Sequence, residues 1–218
     1  MTERQLTTSA YIILGLLASQ DWSAYQLAEV VGRGVDQLWP RADRQRYITP
    51  KRLVEDGLAT ARTEKSGKRS RTMYSITDEG REELTRWLSL ESRPPLLEFE
   101  GMVRVLLSEQ GSLDDLRRTL EDMRTQCIAA RTLFAGHAAY IAQTGGTFPE
   151  RRHLLAMANR FMIGHYDHII DWATWALEHI ETWPDATTPA GDDEQVREML
   201  QAGLDALPVG APATGLLR

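Results

Sequence analysis

A regular apolar stripe in the second half of the chain constrains the fold more than any other feature. Nine residues follow one another at alternating spacings of three and four: Leu113, Leu116, Leu120, Met123, Cys127, Ala130, Phe134, His137 and Ile141. This spacing places all nine side chains on one face of a single long α-helix, and such a seam packs against another helix. A second long helix is predicted from about residue 150 to 182. Its apolar arc is wider than one partner requires, because Phe161 and Trp175 lie beside its main line.

The length and the cysteine content limit the class of protein. A chain of 218 residues can form one large domain or two small ones. Its single cysteine, Cys127, excludes an internal disulfide framework and a multi-cysteine metal site, and its place on the stripe predicts a buried core thiol. The apolar run at residues 11–18 is too short for a membrane span, which needs roughly 20 residues. We therefore expect a cytoplasmic protein that does not contact a membrane.

The charge is distributed unevenly along the chain. The formal net charge is -6, yet residues 33–74 carry 11 basic and 5 acidic side chains. Residues 91–218 carry 11 basic and 19 acidic side chains, a net charge of -8. Such a division suggests that only the first part of the chain meets a polyanion.

The first 57 residues read as three short helices. The first covers residues 9–19, and the second begins after Ser23, which we predict as its N-cap. We expect residues 32–34, Gly-Arg-Gly, to end the second helix. The third is predicted from about residue 42 to 56.

The pattern then changes from helical to alternating. Strands are predicted at residues 58–64 and 71–76, joined by a polar, cationic turn with a glycine at residues 65–70. Thr77 and Asp78 are predicted to cap a further helix, at residues 79–90. Three helices, a hairpin and a helix is the order of a winged helix-turn-helix, which binds DNA through its third helix and its hairpin wing.

The residue types of the third helix and the wing suit this work. Arg44 and Gln45 can reach base edges, because Arg pairs with guanine and Gln with adenine. The side chains that we predict to bind phosphates are Arg41, Tyr47, Lys51, Arg52, Lys68, Arg69 and Arg71.

Several separated motifs resemble the PadR family of bacterial transcriptional regulators. They are Ala24-Tyr25-Gln26-Leu27, Trp39-Pro40 followed by Tyr47, the run from Lys51 to Leu58, and the wing from Lys68 to Gly80. The resemblance implies a homodimer paired through its C-terminal helices, with two winged domains on an inverted repeat. It also implies a repressor that small molecules such as phenolic acids and other aromatic compounds release from double-stranded DNA.

One residue departs from the commoner family pattern. Pro50 falls inside the predicted third helix, where it removes an amide donor and crowds the carbonyl of Arg46. We therefore expect a kink there, with residues 43–49 oriented independently of residues 51–56.

Aromatic residues of the long helices have two alternative interpretations. They are core or dimer-interface residues by default, and aromatic walls with a few polar groups also suit a flat organic effector. The residues that we select as candidates for effector binding are Trp87, Phe161, His165 and Trp172. His165 and His168 are one helical turn apart, with Asp167 and His179 nearby in sequence. This spacing is weak evidence and no cysteine supports it, so we predict no metal site.

No motif in the chain indicates catalysis. The sequence contains neither a Gly-rich phosphate loop nor a Gly-x-Ser-x-Gly elbow, and we predict no enzyme, no catalytic residue and no cofactor. We expect a mainly α fold with a winged helix-turn-helix at residues 1–92, a helical dimerisation and effector domain at residues 93–183, and an acidic tail at residues 184–218. The alternative to a DNA-binding regulator is a helical interaction or ligand-binding protein whose winged domain contacts protein.

Overall fold

The computed structural model describes residues 6–39, 47–66, 69–187 and 193–205. These form two compact units, Met1–Pro95 and Leu96–Arg218. The fold is mainly α with one small antiparallel sheet, as the sequence predicts. No helix in the described ranges has the length and the apolar character that crossing a membrane requires.

The first unit contains short helices followed by a hairpin and a further helix. Its elements are α1 (Thr8–Leu17), β1 (Trp22–Ser23), α2 (Ala24–Val30), a π-helical segment (Val31–Val35), α3 (Asp36–Leu38), α4 (Thr49–Glu55), β2 (Ala59–Ser66), β3 (Arg69–Ile76) and α5 (Asp78–Leu88).

Side-chain caps begin the helices where the sequence predicts them. The Ser23 hydroxyl accepts a hydrogen bond from the Gln26 amide, and the Gln26 side chain accepts one from the Ser23 amide. This reciprocal capping box satisfies amides that the first turn of a helix leaves without partners. The Thr77 hydroxyl likewise accepts from the Gly80 amide at the start of α5. The predicted caps at Ser23 and Thr77 are confirmed.

The predicted end of the second helix is wrong. Residues 31–35 continue α2 as a π-helical segment, and α3 follows directly. Glycine lowers helix stability without a steric clash. The fully buried side chain of Val31 anchors this segment in the core, so burial outweighs the poor propensity of Gly32 and Gly34.

Pro50 lies at the start of a helix and not inside one. The predicted kink between residues 43–49 and 51–56 stays a prediction, because residues 43–46 lie outside the described ranges. The helix α4 begins at Thr49, which places Pro50 in its first turn. There the missing amide would have no intrahelical partner, and the fixed φ of proline suits the helix. The Arg52 amide donates to the Ile48 carbonyl at 3.2 Å and closes the first turn around the proline. Residues 40–46, which include the predicted start of this helix, lie outside the described ranges.

The sheet contains one more strand than the predicted hairpin. In the described residues the strand order is β1-β3-β2, and both pairings are antiparallel. In the short strand β1, Trp22 pairs with Tyr74. The sequence does not predict this strand, because two residues are too few to show an alternation of polar and apolar side chains. The Trp22 indole N–H donates to the Leu16 carbonyl at 2.9 Å, which joins the sheet to the end of α1.

A close approach between α5 and the start of β2 fixes the base of the hairpin. A Cβ atom at Gly80 would lie 2.1 Å from the carbonyl oxygen of Leu58. The Thr77 amide donates to that same carbonyl, and the Thr77 hydroxyl donates to the Gly57 carbonyl at 2.9 Å. The two ends of the hairpin are therefore joined through one short segment of α5.

The far end of α5 is held by an aromatic pair. The ring of Trp87 stacks on that of Tyr11 with centroids 4.4 Å apart, and the Tyr11 hydroxyl donates to Glu83. Hydrogen bonds from Arg86, and to a lesser degree from Tyr11, lower the pKa of the Glu83 carboxyl despite its partial burial.

The second unit is built around two long antiparallel helices. Its elements are α6 (Glu100–Leu106), a 3₁₀ turn (Ser108–Gln110), α7 (Leu113–Thr144), a 3₁₀ turn (Pro149–Arg151), α8 (Arg152–Ile180) and α9 (Asp193–Asp205). A capping box between Ser112 and Asp115 begins α7, and Gly145 in the left-handed region, with φ of 83°, ends it.

The predicted stripe forms the seam between α7 and α8. Its buried members are Leu116, Leu120, Met123, Cys127 and Phe134. They pack in two clusters, one with the C-terminal half of α8 and one with its middle. Burial raises the pKa of the Cys127 thiol, so the prediction of a core thiol is confirmed.

A methyl group at Gly80 tests the base of the hairpin. We expect Gly80→Ala to lower the free energy of unfolding by about 1–3 kcal/mol, because the Leu58 carbonyl must move. Gly15→Ala in α1 is the matched control, because no atom lies within 4 Å of its added Cβ. The control should stabilise the chain by about 0.5–1 kcal/mol. Chemical denaturation of both variants measures the difference, and equal stability would contradict the close approach.

Candidate nucleic-acid interface

The helix α4 has one buried face, which holds it in the core, and one exposed face, which carries its cations. Thr49, Pro50 and Leu53 are buried, and Leu53 is only 1% exposed. Lys51 and Arg52 point away from this core and are exposed. The alternation follows from the helical period, which turns residues 50 and 53 to the core and residues 51 and 52 outward.

A cleft beside α4 gathers residues from three elements. It has a volume of about 470 Å³ and lies between the start of α2, α4 and the strand β3. Its polar lining includes Tyr25, Lys51 and Arg71, and its remaining walls are Ser23, Ala24, Gln26, Thr72 and Tyr74. The Tyr25 side chain is 71% exposed, which leaves its hydroxyl at the surface. Two cations and a phenol around one open cleft can bind an anion such as a phosphate.

Arg71 also has an acidic neighbour within the sheet. Its guanidinium Nη2 lies 3.2 Å from Oε2 of Glu64 on the adjacent strand. Glu64 in turn accepts from Arg62, whose Nη1 donates to Asp21 at 2.6 Å and to the Ser75 hydroxyl at 3.0 Å. We call Asp21, Arg62, Glu64 and Arg71 the charge ladder. It joins the segment before β1 to both strands of the hairpin.

The structure brings together some of the residues predicted to bind DNA. Lys51 and Arg71 line the cleft. Tyr47, two residues before α4, and Arg52, within α4, are both exposed. Arg41, Arg44, Gln45 and Lys68 lie outside the described residues. The backbone of Arg69 belongs to β3, but its side chain is not described.

Sequence reasoning missed several residues of this region. Tyr25 was recognised as part of a motif but not as a residue of the cleft, although a tyrosine two residues after an N-cap is a detectable signal. Arg62 and Glu64 are two apart on a strand, which places them on one face and could have suggested their pairing. Asp21 is 41 residues from Arg62, and no local pattern links them.

The candidate effector residues divide between the two units. Trp87 belongs to the first unit, where it stacks on Tyr11. Phe161 and His165 are one turn apart on α8, and their rings stack with centroids 6.4 Å apart. Trp172 is half-buried against the core of the second unit. No grouping of three or more His, Cys, Asp or Glu residues suited to a metal ion occurs in the ranges that the structure describes.

Comparison with known proteins identifies the first unit. The family described as "Transcriptional regulator PadR-like family" matches residues 13–86. The negative transcriptional regulator PadR of Bacillus subtilis (strain 168) is 37% identical over 79 residues, which are 36% of this chain and 43% of the relative. The match thus spans less than half the length of that curated relative.

Solved structures extend the likeness beyond the matched segment. Bacillus subtilis PadR in complex with operator DNA is 24% identical, and the alignment covers 80% of this chain and 100% of that one with a TM-score of 0.68. The same protein in complex with p-coumaric acid is 23% identical, with coverage of 79% and 98% and a TM-score of 0.62. At this identity the likeness shows a shared fold. The family match covers the helices and the hairpin of the first unit, so residues 13–86 form a domain of the PadR-like type.

Proposed function

We propose that this regulator is a homodimeric repressor that binds an inverted-repeat operator and is released by a small aromatic effector. The observation that carries the DNA-binding part is the cleft in which Tyr25, Lys51 and Arg71 converge beside the exposed face of α4. In this proposal all three bind backbone phosphates, together with Tyr47 and Arg52. Phosphate contacts fix the position of the protein on the duplex without reading its sequence.

Sequence recognition is assigned to the segment before α4. Arg44 and Gln45 are proposed to contact base edges, where bidentate pairing distinguishes one base pair from another. The sequence also places Arg41 beside this segment and Lys68 and Arg69 in the wing, and we propose that these three bind phosphates.

Dimerisation is proposed for an exposed apolar stripe on α8. Leu154, Met157, Phe161 and Trp175 are 55%, 70%, 64% and 45% exposed and follow one face of the helix. A stripe of this length outside the core is typical of an interface. Two copies related by a two-fold axis present two DNA-binding units, and the matching operator is an inverted repeat.

The effector is proposed to bind within the same stripe. Phe161 and His165 offer stacked rings, and Trp172 lies further along the same side of α8. A flat aromatic acid can stack on these rings, and p-coumaric acid, which Bacillus subtilis PadR binds, belongs to this chemical class. We centre the site on these three residues because Trp87 already stacks on Tyr11. A ligand there would favour release only if it binds the DNA-free geometry more tightly.

Lys51→Ala tests the DNA contact. We expect it to weaken binding to a random duplex and to the upstream region of the protein's own gene by the same factor. It should also make the slope of log affinity against log salt shallower by about 0.9, as one phosphate contact is lost. Fluorescence anisotropy at several salt concentrations measures both.

Two further variants complete this test. Arg197→Ala on α9 removes the same charge outside the first unit and should change neither quantity. Arg44→Ala should erode discrimination between the two duplexes, by about 1–3 kcal/mol. If the folded wild-type dimer bound no duplex even at low salt, the alternative role in protein contact would replace DNA binding.

Met157→Asp tests the dimer. Burying a carboxylate in an apolar interface is costly, so we expect light scattering to find a monomer at concentrations where the wild type is a dimer. Val196→Asp places the same charge on an exposed apolar site of α9 and should leave the dimer intact. An unchanged mass for Met157→Asp would contradict the α8 interface.

Phe161→Ala tests the effector site with p-coumaric acid as the probe. We expect the probe to quench wild-type tryptophan fluorescence at saturable concentrations and to bind the variant at least tenfold more weakly. Met157→Ala removes a non-aromatic neighbour from the same stripe and should retain binding. Equal affinity in both variants would contradict a stacking role for Phe161.

A further inference from the structure

Within the charge ladder, the carboxylate of Glu64 contacts Arg71, a residue that we propose to bind DNA. Glu64 lies opposite Arg71 in the register of β2 and β3, so the two side chains leave the same face of the sheet. Their charged atoms are 3.2 Å apart, Oε2 to Nη2. The contact therefore follows from the strand pairing and is available whenever the hairpin is formed.

Glu64 is held in place from its other side. Arg62 donates to its Oε1 from Nη2 at 2.9 Å and from Nε at 3.2 Å. Arg62 is itself fixed by Asp21 and Ser75, which belong to the segment before β1 and to the central strand. These bonds orient Oε2 of Glu64 toward Arg71, and movement of the carboxylate away from Arg71 would disturb three other groups, Arg62, Asp21 and Ser75.

Both acids of the ladder are ionised at neutral pH. Hydrogen bonds from Ser75 and Arg62 lower the pKa of Asp21, and hydrogen bonds from Arg62 and Arg71 lower that of Glu64. Two carboxylates and two guanidinium groups make the ladder neutral. The positive charge of Arg71 is thus already compensated by the carboxylate of Glu64.

The same guanidinium lines the cleft. Arg71 lies there with Lys51 and Tyr25, while its side chain is 49% exposed and accessible to an anion from outside. A phosphate in the cleft and the Glu64 carboxylate are both acceptors for guanidinium donors. A phosphate that binds Arg71 therefore shares its five N–H donors with Glu64, and the negative charge of Glu64 opposes the approach of the phosphate.

We propose that Glu64 competes with DNA phosphate for Arg71 and thereby lowers the affinity of the wing for any DNA backbone. This rests on the proposed DNA-binding function and adds to it a residue that limits its strength. The compensation weakens the sequence-independent part of binding, which is the part that holds a regulator on non-operator DNA. Contacts to base edges do not depend on it.

Glu64→Gln removes the charge and retains the shape of the side chain. We expect this variant to bind a random 30-base-pair duplex about three- to tenfold more tightly at 100 mM salt. The slope of log affinity against log salt should steepen by about 0.9, which makes the affinity ratio between 50 and 200 mM salt about 3.5 times larger. Fluorescence anisotropy with the full-length chain gives both values.

Four further proteins make the test specific. Glu82→Gln, on the exposed surface of α5, changes the net charge of the same unit equally, and we expect at most a small effect. In an Arg71→Ala background the effect of Glu64→Gln should disappear, because the guanidinium for which Glu64 and phosphate compete is absent. Glu64→Thr, which favours a strand, provides the same test if the glutamine variant loses thermal stability.

The outcomes separate this inference from the proposed function. Weaker binding by Glu64→Gln would mean that Glu64 prepares Arg71 for DNA and would overturn the competition. An effect equal to that of Glu82→Gln, or one that persists without Arg71, would also overturn it, while DNA binding itself would stand. A wild-type protein that bound no duplex at 50 mM salt would overturn the proposed function and, with it, this inference.

Discussion

The contact between Gly80 and the Leu58 carbonyl fixes the position of the hairpin on which the proposed DNA-binding surface depends. Because only a hydrogen occupies the side-chain position, α5 can approach the backbone closely, and Thr77 completes the junction with two hydrogen bonds. The end of β3 and the start of β2 are therefore held at one point. The register of the two strands then places Arg71 at the cleft and Glu64 directly opposite Arg71. A displaced hairpin base would move all of these groups together.

The first unit has fewer uncompensated cations than its sequence suggests. Residues 33–74 are strongly cationic in sequence, yet the ladder pairs two of their arginines with Asp21 and Glu64. Exposed ion pairs of this kind contribute little to stability. In the proposed competition their effect on DNA binding is larger, because a compensated cation would release fewer counterions. The distribution of cations that remain available is therefore a property of the fold.

The second unit contributes a different kind of surface. Its core is a narrow seam between α7 and α8, whereas α8 bears a second apolar stripe outside that seam. A helix with apolar residues on two sides needs two partners. One is α7, and the proposed second partner is another copy of the chain, with an aromatic effector altering the contact. In this arrangement the acidic charge of residues 91–218 would disfavour an approach of these helices to the duplex.

Local patterns predicted most elements of this protein. Periodicity located α7, α8 and the hairpin, and side-chain chemistry located the caps at Ser23 and Thr77, because these signals depend on residues within a few positions of one another. The same reasoning failed at Gly32, where the burial of Val31 outweighed local propensity. It also placed Pro50 inside a helix, whereas Pro50 lies in the first turn of α4.

The sequence by itself determined the order of most elements, the resemblance of the first unit to the PadR-like family and the types of residue that we propose to contact DNA. Only the tertiary structure decided which of these residues act together. Tyr25, Lys51 and Arg71 converge on one cleft from separate elements, and Asp21 reaches Arg62 across 41 positions. The physical reason is that strand pairing and core packing bring distant residues together, whereas spacing along the chain specifies only which face of its own element each residue occupies.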